Sequence, residues 1–207
     1  MFPQFSYATS GSIALWLSKK LPSQITNKMF WLKSYPSQKS YIDLFTKRIQ
    51  DYMLESKIEE EDWLLFFSAH GIPKKFVEGG DPYQRECELS YEAIIKNFPQ
   101  SQCLLAYQSK FGPGEWLKPY TIDVCKNITQ ISENKKNVLF VPLAFTSDHI
   151  ETLFEIEDEY MPVIRDKGLN AYRMPAFNDK PDWINTISDL LNEPSSLVPN
   201  QMLVRQK

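Results

Sequence analysis

Histidine is scarce here: His70 and His149 are the only two in 207 residues. Cysteine is nearly as rare, with Cys87, Cys103 and Cys125 in no CxxC pair and no Cys/His run. An odd, unclustered count excludes a disulfide framework and argues against a structural zinc or iron–sulfur site, which leaves a reducing, cytoplasmic setting as the simplest reading. No apolar run reaches the roughly 20 residues that cross a bilayer, and no charged-then-apolar leader opens the chain. Charge of one sign is missing too: the net charge of -3 gives no reason to expect nucleic acid as a partner. GxGxxG, GxxxxGK[ST] and GxSxG are all absent, so nucleotide binding and acyl transfer lack their usual support. There is no internal repeat and no low-complexity tract.

What is present is an ordinary globular balance, 43% hydrophobic and 24% charged, at a length suited to one or two domains. Residues 11–20 have helical spacing of Ile13, Leu15, Trp16 and Leu17 until Pro22 and Ser23 break it. Residues 40–56 read as a second helix, so the first 60 residues supply helices and little sheet. Further on, three apolar runs, Trp63–Phe67, Cys103–Tyr107 and Val138–Leu143, alternate with helical patterns at about 82–97, 120–133 and 150–166. A short strand at 169–174 and a helix at about 181–192 follow, and the polar tail after Pro194 reads as loose. Strands apolar on both faces that alternate with helices predict an α/β fold with a doubly wound parallel sheet.

In such sheets ligands bind beyond the carboxyl ends of the strands. Three segments leave such ends: Ser68–Gly71, Gln108–Lys110 and Ala144–His149. Both histidines fall in this one layer. His70 follows a buried strand and precedes Gly71, which lets the chain turn and keeps the imidazole uncovered. A neutral imidazole accepts a proton near pH 7 or binds a borderline metal, although a loop histidine bonded to a nearby carbonyl is the plainer alternative.

Between Asp148 and Glu159 there are six acids and no Lys or Arg. On a regular helix Glu151, Glu155 and Glu159 form one i, i+4, i+8 row with Asp148 and Asp158 beside it. Such a row can hand on a hard cation or protons; the competing reading is a solvated acidic face. Asp81 and Pro82 read as the N-cap and first position of a helix. Tyr83 and Trp116 are candidate walls of an aromatic pocket, with plain packing as the alternative, and His149 reads as a supporting group.

The stretches LLFFSAHGIPKKFVEGGDPY (64–83), YQSKFGPGEWLKP (107–119) and NVLFVPLAFTSDHIETLFEIEDEY (137–160), with PQFSYATSGS (3–12), resemble the ferrochelatases. The resemblance runs to about residue 192. It implies insertion of ferrous iron into a porphyrin such as protoporphyrin IX, with iron as a substrate, no resident cofactor and, for want of a terminal Cys cluster, no Fe–S centre. Residue by residue, it implies that His70 and Glu151 are the catalytic pair and contact the metal. Asp148, Glu155 and Glu159 then form an acidic relay, and Tyr83, Trp116 and His149 lie by the porphyrin. Peripheral membrane contact is left open by the resemblance.

Family members have two similar α/β domains, and this chain matches from inside the first. The expected division is therefore 1–60 as a helical remnant of a first chelatase-like domain, 61–180 as the second, and 181–207 as a returning helix and loose tail. Residues 13–60 would then expose apolar surface, and the returning helix would lack most of its partner. Two alternatives stand beside the enzyme reading: an inactive fragment that only binds metal or tetrapyrrole, and a related cobalt or nickel chelatase.

Overall fold

A computed structural model describes residues 2–193 and 197–204. Its centre is a parallel four-stranded sheet built from β2 (Trp63–His70), β3 (Gln102–Gln108), β4 (Asn137–Pro142) and β5 (Asn170–Arg173), in the order β3-β2-β4-β5. β2 and β4 pair with Phe66 opposite Phe140, and β2 and β3 pair with His70 opposite Gln108. This is the α/β parallel sheet that the strand–helix alternation predicts.

Side chains alternate along a strand, so β2 feeds two cores. Trp63, Leu65, Phe67 and Ala69 face one core, while Leu64 and Phe66 face the other. All six are fully buried. On the second face Phe66 stacks on Phe140 at 4.6 Å between ring centroids.

The helices cover both faces. α1 (Ser12–Lys20), α2 (Ser23–Thr26) and α3 (Lys39–Ser56) precede β2. α4 (Lys74–Glu78) and α5 (Tyr83–Ile95) lie between β2 and β3. α6 (Thr121–Lys126) and α7 (Ile128–Ile131) lie before β4, and α8 (Ile150–Phe154) and α9 (Met161–Arg165) lie before β5. α10 (Pro181–Asn192) closes the domain. α3, α5 and α10 supply the first core and α6, α7 and α9 the second.

Two expectations are corrected here. α3 does not lie exposed as a remnant: Tyr41, Ile42, Leu44, Phe45, Ile49 and Met53 are buried in the same core as Leu65 and Phe67. It also partners α10, through Arg48–Asp182 at 2.6 Å, while Trp183 of α10 packs on Phe177 at 5.0 Å and Tyr35 at 6.2 Å. A sequence boundary at residue 60 thus cuts α3 from the core it completes. Exposed apolar surface does remain on α1, where Ile13, Leu15 and Trp16 are open to solvent.

The second correction concerns the tail. Leu197–Pro199 forms β6, antiparallel to β1 (Phe30–Leu32), with Trp31 opposite Val198. Asn200 ties this pair down by accepting from Trp31 Nε1 at 2.8 Å and donating to Ser18 Oγ at 2.7 Å. Leu203 is fully buried with Phe5 and Ala14. Apolar side chains spaced to meet a partner strand outweigh the polar composition around them. Residues 194–196 and 205–207 of the expected tail lie outside the described residues. Among the described residues, no helix is long and apolar enough to cross a membrane.

Candidate active site

The carboxyl ends of β2, β3 and β4 deliver the site. His70 is the last residue of β2 rather than a loop residue, so its backbone is held by the sheet. Its Nδ1 lies 2.7 Å from the carbonyl oxygen of Gly71. A carbonyl only accepts, so Nδ1 carries the proton and Nε2 is the basic nitrogen of the neutral ring. Tyr83 Oη donates to the His70 carbonyl at 2.8 Å, which fixes the corner from the other side.

Gly71 is needed for close approach and not for a special turn. Its N–H donates to the Gln108 carbonyl at 2.8 Å, and a Cβ placed there would sit 2.8 Å from that same oxygen.

Two cavities meet at His70 and Glu151. One, of about 630 Å³, is lined by His70, Glu151, Glu155 and Glu159 together with Ser109 and Phe111. The other, of about 220 Å³ and mainly apolar, is lined by His70, Glu151, Tyr83 and Phe145 together with Phe2 and Gln4. His70 and Glu151 line both. The larger volume lies within the range of small-molecule sites, about 300–1,000 Å³.

The helix that carries the acids is not regular. α8 ends at Phe154, residues Glu155–Tyr160 form a wide π-type turn, and α9 resumes at Met161. Pro162 has no N–H to complete the regular i→i−4 ladder and its ring crowds the preceding turn, which favours the irregularity. Because i→i+5 closure brings residues five apart together, Tyr160 Oη reaches Glu155 Oε2 at 3.1 Å. Burial pushes the Tyr160 phenol well above its ordinary value. Ser109 Oγ and Gln108 Nε2 donate to the same carboxylate oxygen at 2.7 and 3.1 Å.

Asp148 is placed apart from this row. Arg173 of β5 pairs with it at 2.8 Å and with Glu157 at 2.6 Å. Asn178 Nδ2 and Thr152 Oγ1 also donate to Asp148, at 2.9 and 3.0 Å. Burial would raise its pKa, but the Asn178 bond, the Arg173 charge and the Thr152 hydroxyl outweigh that and hold the carboxyl below its ordinary value. Asp148 lines neither cavity, so the structure does not bring it to Glu155 and Glu159.

His149 is exposed and lines neither cavity. The Phe145 ring stands between the two histidines, edge-on to His149 at 4.9 Å and to His70 at 6.0 Å. Trp116 is buried against Gly71 and Phe111 and is on neither wall. The open ring of that loop is Phe111. Among the described residues, no group of three or more His, Cys, Asp or Glu is placed to hold a resident metal ion.

Sequence reasoning placed Gln108, Ser109 and Phe145 at strand ends without giving them a role, and did not single out Tyr160. Gln108 and Ser109 sit at a strand end that the topology marks, but polar uncharged residues carry no signal of their own.

Part of the smaller cavity's lining comes from residues 2–9. Asp81 Oδ2 accepts from Ser6 Oγ and from Tyr7 N–H, both at 2.8 Å, while its Oδ1 accepts from Tyr83 N–H at 3.0 Å. Phe5 N–H donates to Glu86 at 2.6 Å and Gln4 Nε2 to Ser90 at 2.9 Å. Residues 4–7 are thus pinned along α5 and hold Phe2 and Gln4 over the smaller cavity.

The chain is similar to a ferrochelatase of Chlamydia pneumoniae, 39% identical over 203 residues, or 98% of this chain and 60% of that one. It is also similar to a ferrochelatase of Chlamydia caviae, 41% identical over 191 residues, or 92% of this chain and 58% of that one. It therefore spans about 60% of the length of these relatives. Among solved structures, CbiX, described as the terminal enzyme for biosynthesis of siroheme in denitrifying bacteria, shares the fold with a TM-score of 0.60. That likeness has 13% identity and covers 91% of this chain and 70% of that one. The sequence profile of the ferrochelatases matches residues 1–195, and the chain belongs to that family.

Proposed function

We propose that this chain carries the metal-inserting centre of a ferrochelatase and that its substrates are ferrous iron and a porphyrin. The observation that carries this reading is that His70 and Glu151, on different elements, line the same two cavities. The reaction replaces two pyrrole N–H protons by Fe²⁺ and releases two protons. It needs a base beside the ring and a carboxylate that tolerates both a cation and a proton.

His70 suits the first task, because its Nδ1–H is committed to Gly71 and Nε2 is left to accept. Glu151 suits the second, with Glu155 and Glu159 continuing the acidic wall of the larger cavity. The smaller, apolar cavity between Phe145, Tyr83 and Phe2 suits a flat hydrophobic ring edge. Iron is a substrate in this scheme, no resident cofactor is invoked, and the location is cytoplasmic.

The test mixes purified chain, Fe²⁺ and protoporphyrin IX without oxygen and follows haem absorbance. The expected outcome is haem formation that falls at least a hundredfold in His70→Ala. A rate equal to that of the variant refutes insertion by this chain. A second reading, a fragment that binds metal or tetrapyrrole without turnover, draws on the coverage of about 60% of the relatives' length. It predicts porphyrin quenching of tryptophan fluorescence with no haem. Preference for Co²⁺ or Ni²⁺ on another tetrapyrrole would move the assignment to a related chelatase.

A further inference from the structure

One buried side chain is bonded to both acidic positions. Gln108, the last residue of β3, is 2% exposed. Its Nε2 donates to the Glu151 carbonyl at 2.7 Å and to Glu155 Oε2 at 3.1 Å. A carbonyl and a carboxylate only accept, so the amide must present its NH₂ to them, and both N–H bonds are used.

The amide oxygen accepts from Ser68 Oγ at 2.7 Å. Ser68 has the Thr121 hydroxyl at 3.3 Å on its other side, and both hydroxyl residues are fully buried. The amide is therefore fixed at both ends, by β2 and α6 behind it and by the acid-bearing segment before it. Ser109 adds a further donor to the same Glu155 oxygen.

We propose that Gln108 is a positioning residue that ties the Glu151 backbone and the Glu155 carboxylate to the sheet and so sets how the acidic segment faces the larger cavity. A glutamate on a free helix surface samples several rotamers, and ordering it costs conformational entropy each time a cation is met. A buried strut anchored in the sheet imposes that order beforehand. The segment it holds includes the wide turn, which lacks the regular helical ladder and so needs outside support. The consequence for catalysis rests on the metal-insertion reading above; the strut itself does not.

The experiment compares the 207-residue chain with Gln108→Leu, Gln108→Glu and Ser109→Ala by hydrogen exchange and by steady-state kinetics. Gln108→Leu removes both donors. Gln108→Glu keeps the size but sets an acceptor against two acceptors. Both are expected to speed amide exchange across residues 150–160 at least tenfold while peptides of β2 and β4 exchange as in the parent. Both are also expected to raise KM for Fe²⁺ at least tenfold with kcat changed less than threefold. Ser109→Ala, which leaves Gln108 in place, is expected to change exchange less than threefold.

Unchanged exchange at 150–160 overturns the proposal, as does faster exchange spread evenly over the sheet, which would mean only lost packing. A KM for Fe²⁺ that does not move in an active variant overturns the positioning role. If the parent chain forms no haem, the functional reading fails, and the exchange pattern alone decides whether Gln108 is the strut.

Discussion

Arg173 on β5 holds Asp148 at 2.8 Å, in the segment after β4, and thereby takes one acid out of the row that the sequence places beside Glu155. The pair is nearly buried, at 10% and 16% side-chain exposure.

Asp148→Asn removes this charge and leaves Arg173 with Glu157 alone. The expected loss of stability at pH 7 is about 1.5–3 kcal/mol by denaturant unfolding, the range for a hydrogen bond to a charged group. Since the folded pKa is depressed, the contribution is present above the unfolded value near 3.9 and is lost as pH falls through the folded value below it. The gap between parent and variant should therefore be constant above about pH 5 and close under acid. A gap that widens under acid contradicts the assignment.

Gly71→Ala tests the corner beside His70. The added methyl meets the Gln108 carbonyl, which belongs to a strand and cannot yield cheaply. Overpacking of this kind costs about 1–3 kcal/mol. On the proposed metal-insertion reading, haem formation should fall as well, because His70 takes its orientation from the Gly71 carbonyl. A variant with the parent's melting temperature would show that the strands part freely.

Phe111 and Trp116 share one loop and should separate cleanly. Phe111 is 72% exposed and lines the larger cavity, so Phe111→Ala is expected to leave stability within about 0.5 kcal/mol and, on the proposed reading, to raise KM for porphyrin. Trp116 is 6% exposed, so Trp116→Ala is expected to cost about 3–5 kcal/mol in unfolding experiments. The reverse pattern would return Trp116 to the pocket wall.

Asp81→Ala removes the acceptor shared by Ser6, Tyr7 and Tyr83. Loss of this shared acceptor is expected to cost about 1–3 kcal/mol and to speed exchange in residues 3–10 before any change in the sheet. Sequence alone read Asp81 as the N-cap and Pro82 as the first residue of the following helix; the helix starts at Tyr83 with Pro82 at the cap, and Asp81 accepts from the Tyr83 N–H. Its bonds to Ser6 and Tyr7 join it to residues 74 and 75 positions away, which no local pattern reveals.

The sequence by itself determined the parallel sheet, because strands buried on both faces must be apolar throughout, as Trp63–Phe67 and Val138–Pro142 are. It also determined that His70 and the acids of 148–159 lie at strand ends, since topology places those segments at one edge. Glu151, Glu155 and Glu159, one row by periodicity, do line one cavity, although a wide turn at Glu155–Tyr160 interrupts the regular helix. Tertiary structure alone decided that Asp148 stays apart, captured by an arginine from β5. Only folding joined α3 to α10 and Leu197–Pro199 to Phe30–Leu32. The reason is physical: periodicity reports which face of an element is buried, whereas the partner that covers it depends on chain crossings between residues far apart in sequence.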